Sequence, residues 1–141
     1  MIRKYSATPE LDVVNFFELV LFSFLTGNAD MHLKNFSLLE QPGIGMTLSP
    51  AYDLVNTALV IPVDEEEMAL TLNGRKKKLK KQDFIASMQA LKVEEKQQEN
   101  IFTKMAKALP QWQSLIDRSF MTTGCKEQYK TMVTERMNRL Q

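Results

Sequence analysis

Three polar residues, Asp30, Asn35 and Asp53, have types and spacing suited to phosphoryl transfer. That chemistry needs an acceptor for a hydroxyl proton, oxygen ligands for a metal ion on the phosphates, and a loop that holds both together. Asp30 and Asn35 have D-x-x-x-x-N spacing, in which the aspartate can accept the proton and the asparagine can bind magnesium. Asp53 is a second candidate ligand, because magnesium binds through few protein oxygens and completes its shell with waters and phosphate oxygens.

An apolar helix is predicted immediately before this cluster. Thr8 and Pro9 are typical of a helix start, with a hydroxyl N-cap and proline at the first helical position. The segment 11–25 is apolar around most of the helix, which predicts a buried position in the core. Gly27 is a natural C-terminal stop. The polar cluster is therefore expected to begin where a rigid, buried element ends.

A short β-hairpin is predicted between the two parts of the cluster. Segments 35–40 and 45–50 are β-capable, and a Pro-Gly sequence lies between them. Such a hairpin would fold Asp53 back beside Asn35, so that both oxygens could share one cation. The following segment, 51–62, is compatible with either a loop or a short helix.

The rest of the chain predicts a second hairpin and a helical bundle. Asn73-Gly74 is a strong hairpin signal. Helices are predicted at 82–91, 94–109, 111–120 and 125–140, with breaks at Pro110 and Gly124. The predicted fold is mainly α with small β-hairpins, an α+β class. We expect a single domain over 1–141, with the catalytic-loop and metal-site segment at 1–62 and the hairpin plus bundle at 63–141.

Composition excludes several classes of protein. The 141 residues suffice for one core, and 44% apolar with 25% charged residues is typical of a globular chain. The net charge of +1 gives no general case for nucleic-acid or membrane binding. Cys125 is the only cysteine, which excludes an internal disulfide. The polar segment 1–10 does not look like a secretory signal, and the apolar run 13–25 is too short to span a bilayer. We expect a cytoplasmic protein.

A purely structural interpretation of the cluster is also possible. Gly27 and Asn28 would then form a helix C-cap, Asp30 would cap the next turn, and Asn35 would be a turn residue. The presence of Asp53 at the end of the hairpin favours the catalytic interpretation.

Two further loop residues have open roles. His32 is the only histidine, and no second histidine or neighbouring cysteine could complete a zinc site with it. It fits either a hydrogen-bonded structural residue or a catalytic one. Lys34 fits either a solvated side chain or a phosphate contact.

The basic segment 74–81 holds six cations in eight residues. Lysines after an Asn-Gly turn discourage pairing at a strand edge, and the acidic segment 64–67 could offset their charge. This favours a solvated surface, or docking of an acidic partner, over nucleic-acid contact.

Two segments carry a resemblance to a known family. "FSFLTGNADMHLKNFSLL" (22–39) and "LSPAYDLVNT" (48–57) closely resemble the C-terminal part of HipA-like serine/threonine kinases, the toxins of bacterial toxin–antitoxin pairs. The later segments "MALTLNGRKKKLKKQDF" (68–84) and "YKTMVTERMNRL" (129–140) are similar too. The resemblance implies a protein-kinase-like C-terminal lobe of the HipA type, with ATP as substrate and Mg²⁺ as cofactor.

The resemblance also implies roles for particular residues. Carried over by position, Asp30 would be the catalytic base, while Asn35 and Asp53 would bind magnesium. The implied catalytic set is Asp30, His32 and Lys34, and the implied cofactor-binding set is Asn28, Asn35 and Asp53.

One departure from the kinase pattern shapes the functional expectation. A kinase also needs a loop that covers the nucleotide and a lysine on a strand of its N-terminal lobe. Only seven residues precede Thr8. We therefore expect a C-terminal lobe that is inactive without an N-terminal lobe, which leaves open whether this chain alone is an enzyme.

The resemblance further implies two protein partners, an N-terminal kinase half and a HipB-like DNA-binding antitoxin. The protein substrate is not indicated. An alternative is a non-catalytic module that binds the antitoxin or a separate kinase half. A weaker one is a helical domain whose kinase resemblance is only ancestral.

Overall fold

The computed structural model describes residues 1–60 and 66–141. It contains five helices and one small antiparallel sheet in these ranges, which confirms the predicted class. In chain order, the elements are α1 (Ile2–Tyr5), α2 (Pro9–Thr26), a 3-10 turn (Leu33–Asn35), β1 (Leu38–Gln41), β2 (Gly45–Leu48), α3 (Lys81–Ala90), α4 (Glu95–Asp117) and α5 (Thr123–Asn138). Residues 51–60 form a loop that ends in a turn. The rest of the predicted loop or helix at 51–62, the domain-segment boundary at 62/63, and residues 64 and 65 of the acidic segment lie outside the described residues.

Helix α2 forms the centre of the fold, as its apolar circumference predicts. Helices α1, α4 and α5 and strand β2 all contact it. Its apolar residues with at most 2% exposure are Val13, Phe17, Val20, Leu21, Phe24 and Leu25. Burial of such side chains contributes about 1.5–3 kcal/mol each to the stability of the fold. The end of α2 therefore gives the loop that follows it a fixed starting position. None of the helices in the described ranges is long and apolar enough to cross a membrane.

The start of α2 differs in detail from the prediction. Pro9 is the first helical residue and Thr8 is the N-cap, but the Thr8 hydroxyl makes no capping hydrogen bond within the described chain. Ser6 Oγ accepts the Thr8 amide instead (2.9 Å). The Asp12 carboxylate, 3% exposed, accepts the amide of Leu48 (2.7 Å). The first turn of α2 is thereby bonded to the end of the hairpin.

The first hairpin is confirmed, with strands shorter than predicted. Strands β1 and β2 pair antiparallel from Leu38 opposite Leu48 to Gln41 opposite Gly45. Three residues, 42–44, connect them. The Ile44 amide donates to the Gln41 carbonyl (3.0 Å) and closes the turn.

The second hairpin is confirmed only as a turn. Asn73 and Gly74 both have positive φ (49° and 74°), as the Asn-Gly signal predicts, but the flanking residues form a single β-bridge. Two local features prevent longer strands. Lys78 has φ 53°, which is incompatible with extended backbone. The Leu79 amide then donates to the carboxylate of Glu67 (2.9 Å) instead of to a strand carbonyl.

The predicted break at Pro110 is wrong. Pro110 lies inside α4, which is continuous from Glu95 to Asp117. An internal proline removes a helix hydrogen bond and costs about 3 kcal/mol. Packing on both sides of it offsets this cost, because Met105 and Ile116 are buried and the Trp112 ring lies edge-on to Phe22, with ring centroids 5.4 Å apart.

The predicted break at Gly124 is also wrong. Gly124 is the second residue of α5, and the chain turns earlier, over 118–122. The hydroxyl of Thr122 caps the helix by accepting the amide of Cys125 (3.4 Å). The predicted apolar face of α5 is largely confirmed: Val133, Met137 and Leu140 are buried, whereas Tyr129 and Met132 are partly buried.

Candidate functional site

The loop begins at Gly27, which ends α2 as predicted. Its φ of 82° is left-handed, a conformation that favours glycine. A Cβ here would lie 2.8 Å from Met132 Cε, 3.0 Å from Asn56 Oδ1 and 3.2 Å from Ala58 Cβ. Both conformation and space therefore require glycine, and the chain leaves α2 in one fixed direction.

The segment after Asp53 is bonded to the start of this loop. The Gly27 carbonyl accepts the amides of Thr57 (3.0 Å) and Ala58 (3.1 Å). The Thr57 hydroxyl in turn accepts the amide of Ala29 (3.0 Å). These bonds fix the two halves of the candidate site relative to each other. The sequence analysis did not identify Thr57, because nothing in a lone threonine indicates that it bonds to a glycine 30 positions away.

Asn35 and Asp53 are brought together, as the hairpin predicts. The Asn35 amide nitrogen donates to Oδ2 of Asp53. Asn35 is only 4% exposed, and its Oδ1 is buried without a hydrogen-bond partner among the described residues. Asp53 is exposed and has φ 55°, a left-handed conformation that costs a non-glycine residue free energy and that occurs often at functional sites. The nitrogen of the Asn35 amide, rather than its oxygen, therefore faces the Asp53 carboxylate.

Asn28 forms a hydrogen bond to the backbone of this pair. It is 3% exposed, and its Nδ2 donates to the Asp53 backbone carbonyl (3.4 Å). The contact is to main chain, so Asn28 is placed to hold Asp53 in position. Tyr52 makes a similar link, because its hydroxyl donates to the Lys34 carbonyl (3.1 Å).

Asp30, His32 and Lys34 lie on the solvent side of the loop. Oδ1 of Asp30 lies 2.9 Å from Nε2 of His32, and their side chains are 62% and 49% exposed. Lys34 is exposed as well. The loop thus separates its polar residues into buried asparagines and exposed ionisable groups. The chemical roles of all six residues stay predictions.

The Asn35–Asp53 pair fits a magnesium ion when the Asn35 amide is turned over, which exchanges its nitrogen and oxygen and brings Oδ1 to the carboxylate. A buried amide oxygen without a partner loses about 1–3 kcal/mol of solvation free energy, which a cation ligated there would restore. Asp53 adds a carboxylate beside it. Within residues 1–60 and 66–141, no three His, Cys, Asp or Glu side chains could hold a metal by themselves. Few protein ligands and an otherwise open shell are what magnesium uses when it also binds phosphates.

The fold and the loop define a protein-kinase-like C-terminal lobe. Residues 1–113 match the model of the family described as HipA-like C-terminal domain. The chain belongs to this family, which confirms the family resemblance of its motifs.

Two curated relatives come from Sinorhizobium fredii (strain NBRC 101917 / NGR234). "Putative kinase Y4dM" is 47% identical over 73 residues, and "Putative kinase Y4mE" is 36% identical over 75 residues. The matches cover 51% and 53% of this chain but 17% of each relative. The chain therefore corresponds to a small part of these kinases.

A solved structure shows the same fold. A chain in the complex of the Shewanella oneidensis MR-1 toxin–antitoxin system HipA, HipB and its operator DNA superposes with a TM-score of 0.79. The sequences are 24% identical, and the match covers 96% of this chain and 33% of that one. This likeness establishes the HipA kinase-like fold for the described residues.

Proposed function

We propose that this chain is the C-terminal lobe of a HipA-like serine/threonine protein kinase, which transfers the γ-phosphoryl group of ATP to a protein hydroxyl. The observation that carries the proposal is the Asn35–Asp53 pair: a carboxylate hydrogen-bonded to an asparagine whose buried oxygen lacks a partner among the described residues. Asn35 lies on the loop that also presents Asp30, and Asp53 follows the hairpin.

Asp30 is the proposed proton acceptor. Its side chain is 62% exposed, so a serine or threonine hydroxyl of another protein can reach it. His32 Nε2, 2.9 Å away, contacts one carboxylate oxygen and leaves the other available. A positioned base of this kind contributes about 10²–10⁴-fold to a rate. His32 thus orients Asp30 in this scheme.

Asn35 and Asp53 are the proposed magnesium ligands. Magnesium bound there would neutralise charge on the transferring phosphoryl group. Asn28 holds the main chain of Asp53, which keeps the ligand oxygens in place when the ion exchanges. Lys34, exposed on the same loop, is placed to contact a phosphate or the substrate.

The proposal includes two protein partners. A lobe that covers the nucleotide is required, either in the same polypeptide or as a separate chain, because magnesium ligands and a base hold ATP from one side only. A HipB-like DNA-binding antitoxin is the proposed regulator, by analogy with the Shewanella complex.

The experiment combines the chain with a HipA-type nucleotide-binding lobe, radiolabelled ATP and magnesium, and follows phosphate transfer to protein. Asp30→Asn and Asp53→Asn test the site. Asp117→Asn is the matched control, since Asp117 is an exposed acid at the end of α4 that pairs with Lys130 (2.9 Å). Transfer lost in both site variants and kept in the control supports the proposal. Transfer that survives both site variants contradicts it.

A non-catalytic interaction module is the second candidate function. The segment after Asp53 exposes several apolar side chains: Leu54 is 43% exposed, Val55 54% and Val60 76%. Such residues suit contact with another protein chain. A firm complex with the other lobe or with an antitoxin, without any transfer by the wild-type pair, would favour this function.

A further inference from the structure

Helix α5 covers the end of α2 from which the candidate loop begins. Arg136 of α5 is only 8% exposed, and its guanidinium donates to the carbonyl of Phe24. The same carbonyl accepts the amide of Gly27 (3.3 Å). Arg136 also lies over the Phe24 ring, 5.2 Å from its centroid. A buried cation is therefore bonded to the atom that fixes the first residue of the loop.

The charge of Arg136 complements the end of α2. The carbonyls there form the negative end of the helix dipole, and the last turn of α2 carries no basic residue of its own. Burial lowers the pKa of Arg136, although the negative charge of Glu67 acts in the opposite direction. The group stays protonated at neutral pH, because an unperturbed guanidinium titrates far above it. Arg136 of α5 thus provides the positive charge that the last turn of α2 does not carry itself.

One more residue of α5 contacts the site. Met132 lies against Gly27, since its Cε is the atom that an added Cβ would approach most closely. Asn56 and Ala58, from the segment after Asp53, border the same position. Helix α5 therefore packs at the point where the start of the loop meets the segment after Asp53.

We propose that α5 supports the magnesium and catalytic loop, and that Arg136 is a positioning residue that acts through the Phe24 carbonyl and Gly27. The inference rests on the proposed function and deepens it. Helix α5 begins at Thr123, beyond the residues 1–113 that match the family model.

Arg139 provides a closely matched control for Arg136. Its guanidinium also lies 5.2 Å from the Phe24 ring centroid, but it pairs with Glu67 (2.8 Å). Arg136→Met and Arg139→Met remove the same functional group over the same ring. Only the first removes the hydrogen bond to the α2 carbonyl.

The test measures two properties of each variant of the full chain. Amide hydrogen exchange at Ala29 and Asn35 reports the order of the loop without any ligand, and titration with Mg²⁺ alone reports the metal site. In Arg136→Met we expect about tenfold faster exchange at both amides and about tenfold weaker Mg²⁺ binding, the factor for one lost hydrogen bond to a charged group. Arg139→Met should change both by less than about twofold, because the ion pair of Arg139 with Glu67 does not involve the α2 carbonyl or the loop.

Equal changes in the two variants, or unchanged loop exchange in Arg136→Met, would overturn the positioning role. If Arg136→Met does not fold, Arg136→Lys replaces it, because lysine keeps the positive charge and a hydrogen-bond donor. In that variant, amide exchange that increases more at the loop than in the α4 core supports the positioning role. A uniform increase in exchange overturns it. If the wild-type chain binds no Mg²⁺ alone or with the other lobe and ATP, the metal site of the proposed function fails. The exchange comparison still decides the role of Arg136.

Discussion

The loop 27–37 and the turn 72–80 are both short and polar, yet the buried polar groups at the two places differ in their hydrogen-bond partners. In the turn, Asn73 donates to the carboxylate of Asp83 (3.0 Å), which also accepts the Lys80 amide (2.9 Å). In the loop, Asn35 is about as buried as Asp83 (4% and 5% exposed), but its amide oxygen has no partner within the described chain. The buried Asp83 carboxylate, in the first turn of α3, has partners in the turn, whereas the buried Asn35 oxygen has none among the described residues.

This difference separates structural polar residues from candidate ligands better than composition does. The turn holds more charge than the loop, but the buried carboxylate bonded to it, that of Asp83 in α3, serves to cap α3. A buried oxygen without a partner costs free energy, which a bound ion would offset. Ser23 Oγ and Asn56 Nδ2 are also buried without a partner among the described residues, so the Asn35 oxygen supports the proposed site only together with Asp53 beside it. The comparison agrees with the proposal that the loop is the binding site and the turn a fold element, and matched substitutions in the two can test that assignment.

The largest expected effect comes from one isosteric change made in each region. When the chain is assayed with the nucleotide-binding lobe, Asp53→Asn should lower phosphate transfer by about 10³-fold. The reason is that a metal ligand contributes several kcal/mol of transition-state stabilisation. Its free energy of unfolding should change little, since the new amide oxygen can still accept from Asn35. Asp83→Asn should keep transfer at temperatures below its melting point. Transfer that falls equally in both would contradict the assignment.

The next effect compares glycines, Gly27 in the loop and Gly74 in the turn. Both have positive φ, but only Gly27 has neighbours that an added methyl would approach too closely. A Cβ added at Gly74 would have no described atom within 4 Å apart from those of its chain neighbours. Gly27→Ala should lower the free energy of unfolding by about 2–3 kcal/mol, through both backbone strain and overpacking. Gly74→Ala should cost about 1 kcal/mol from backbone strain alone. Chemical denaturation of both variants measures the difference, and similar losses would mean that the packing against α5 is unimportant.

The third effect is pH-dependent and belongs to the turn. Burial by itself would raise the pKa of Asp83, but hydrogen bonds from Lys80 and Asn73 and the charges of Arg75 and Lys80 outweigh it, so the pKa lies below its usual range. A depressed carboxyl pKa stabilises the fold above the unfolded value, about 4, and this stability is lost as the pH falls through the folded value.

Asp83→Asn should therefore lower the free energy of unfolding by about 1 kcal/mol at pH 7, the difference between charged and neutral hydrogen bonds. The gap between wild type and variant should close as the pH falls below about 4. Urea denaturation at pH 7 and pH 3 measures both values. A gap that stays constant would show that the carboxylate charge is unimportant there.

The smallest effect is expected at an exposed ion pair beside the turn. Lys76 lies 3.1 Å from Glu66, and both side chains are well exposed. Lys76→Met should change the free energy of unfolding by less than about 0.5 kcal/mol, because solvent and salt screen such pairs. A larger loss would mean that the basic segment has a structural role that the turn geometry does not indicate.

The local features of the candidate site could be predicted from sequence. Gly27 marks the end of α2 because a left-handed residue is needed there, and the apolar pattern of 11–25 specifies a buried helix. The hairpin follows from its turn residues, and it places Asp53 beside Asn35. Each of these depends on backbone conformation or periodicity over a few neighbouring residues, which the sequence specifies directly.

Only the tertiary structure decided the contacts between distant segments. Pro110 does not break α4, because packing on Met105 and Ile116 offsets its cost, and the second hairpin is reduced to a bridge, because Glu67 takes the Leu79 amide. The bond from Arg136 to the end of α2 spans 112 positions. Such contacts depend on which surfaces meet after folding, so no local pattern specifies them. The sequence determined which residues are candidates for magnesium binding, and tertiary packing decided that Asn35 is buried beside Asp53 with its amide oxygen unpaired among the described residues.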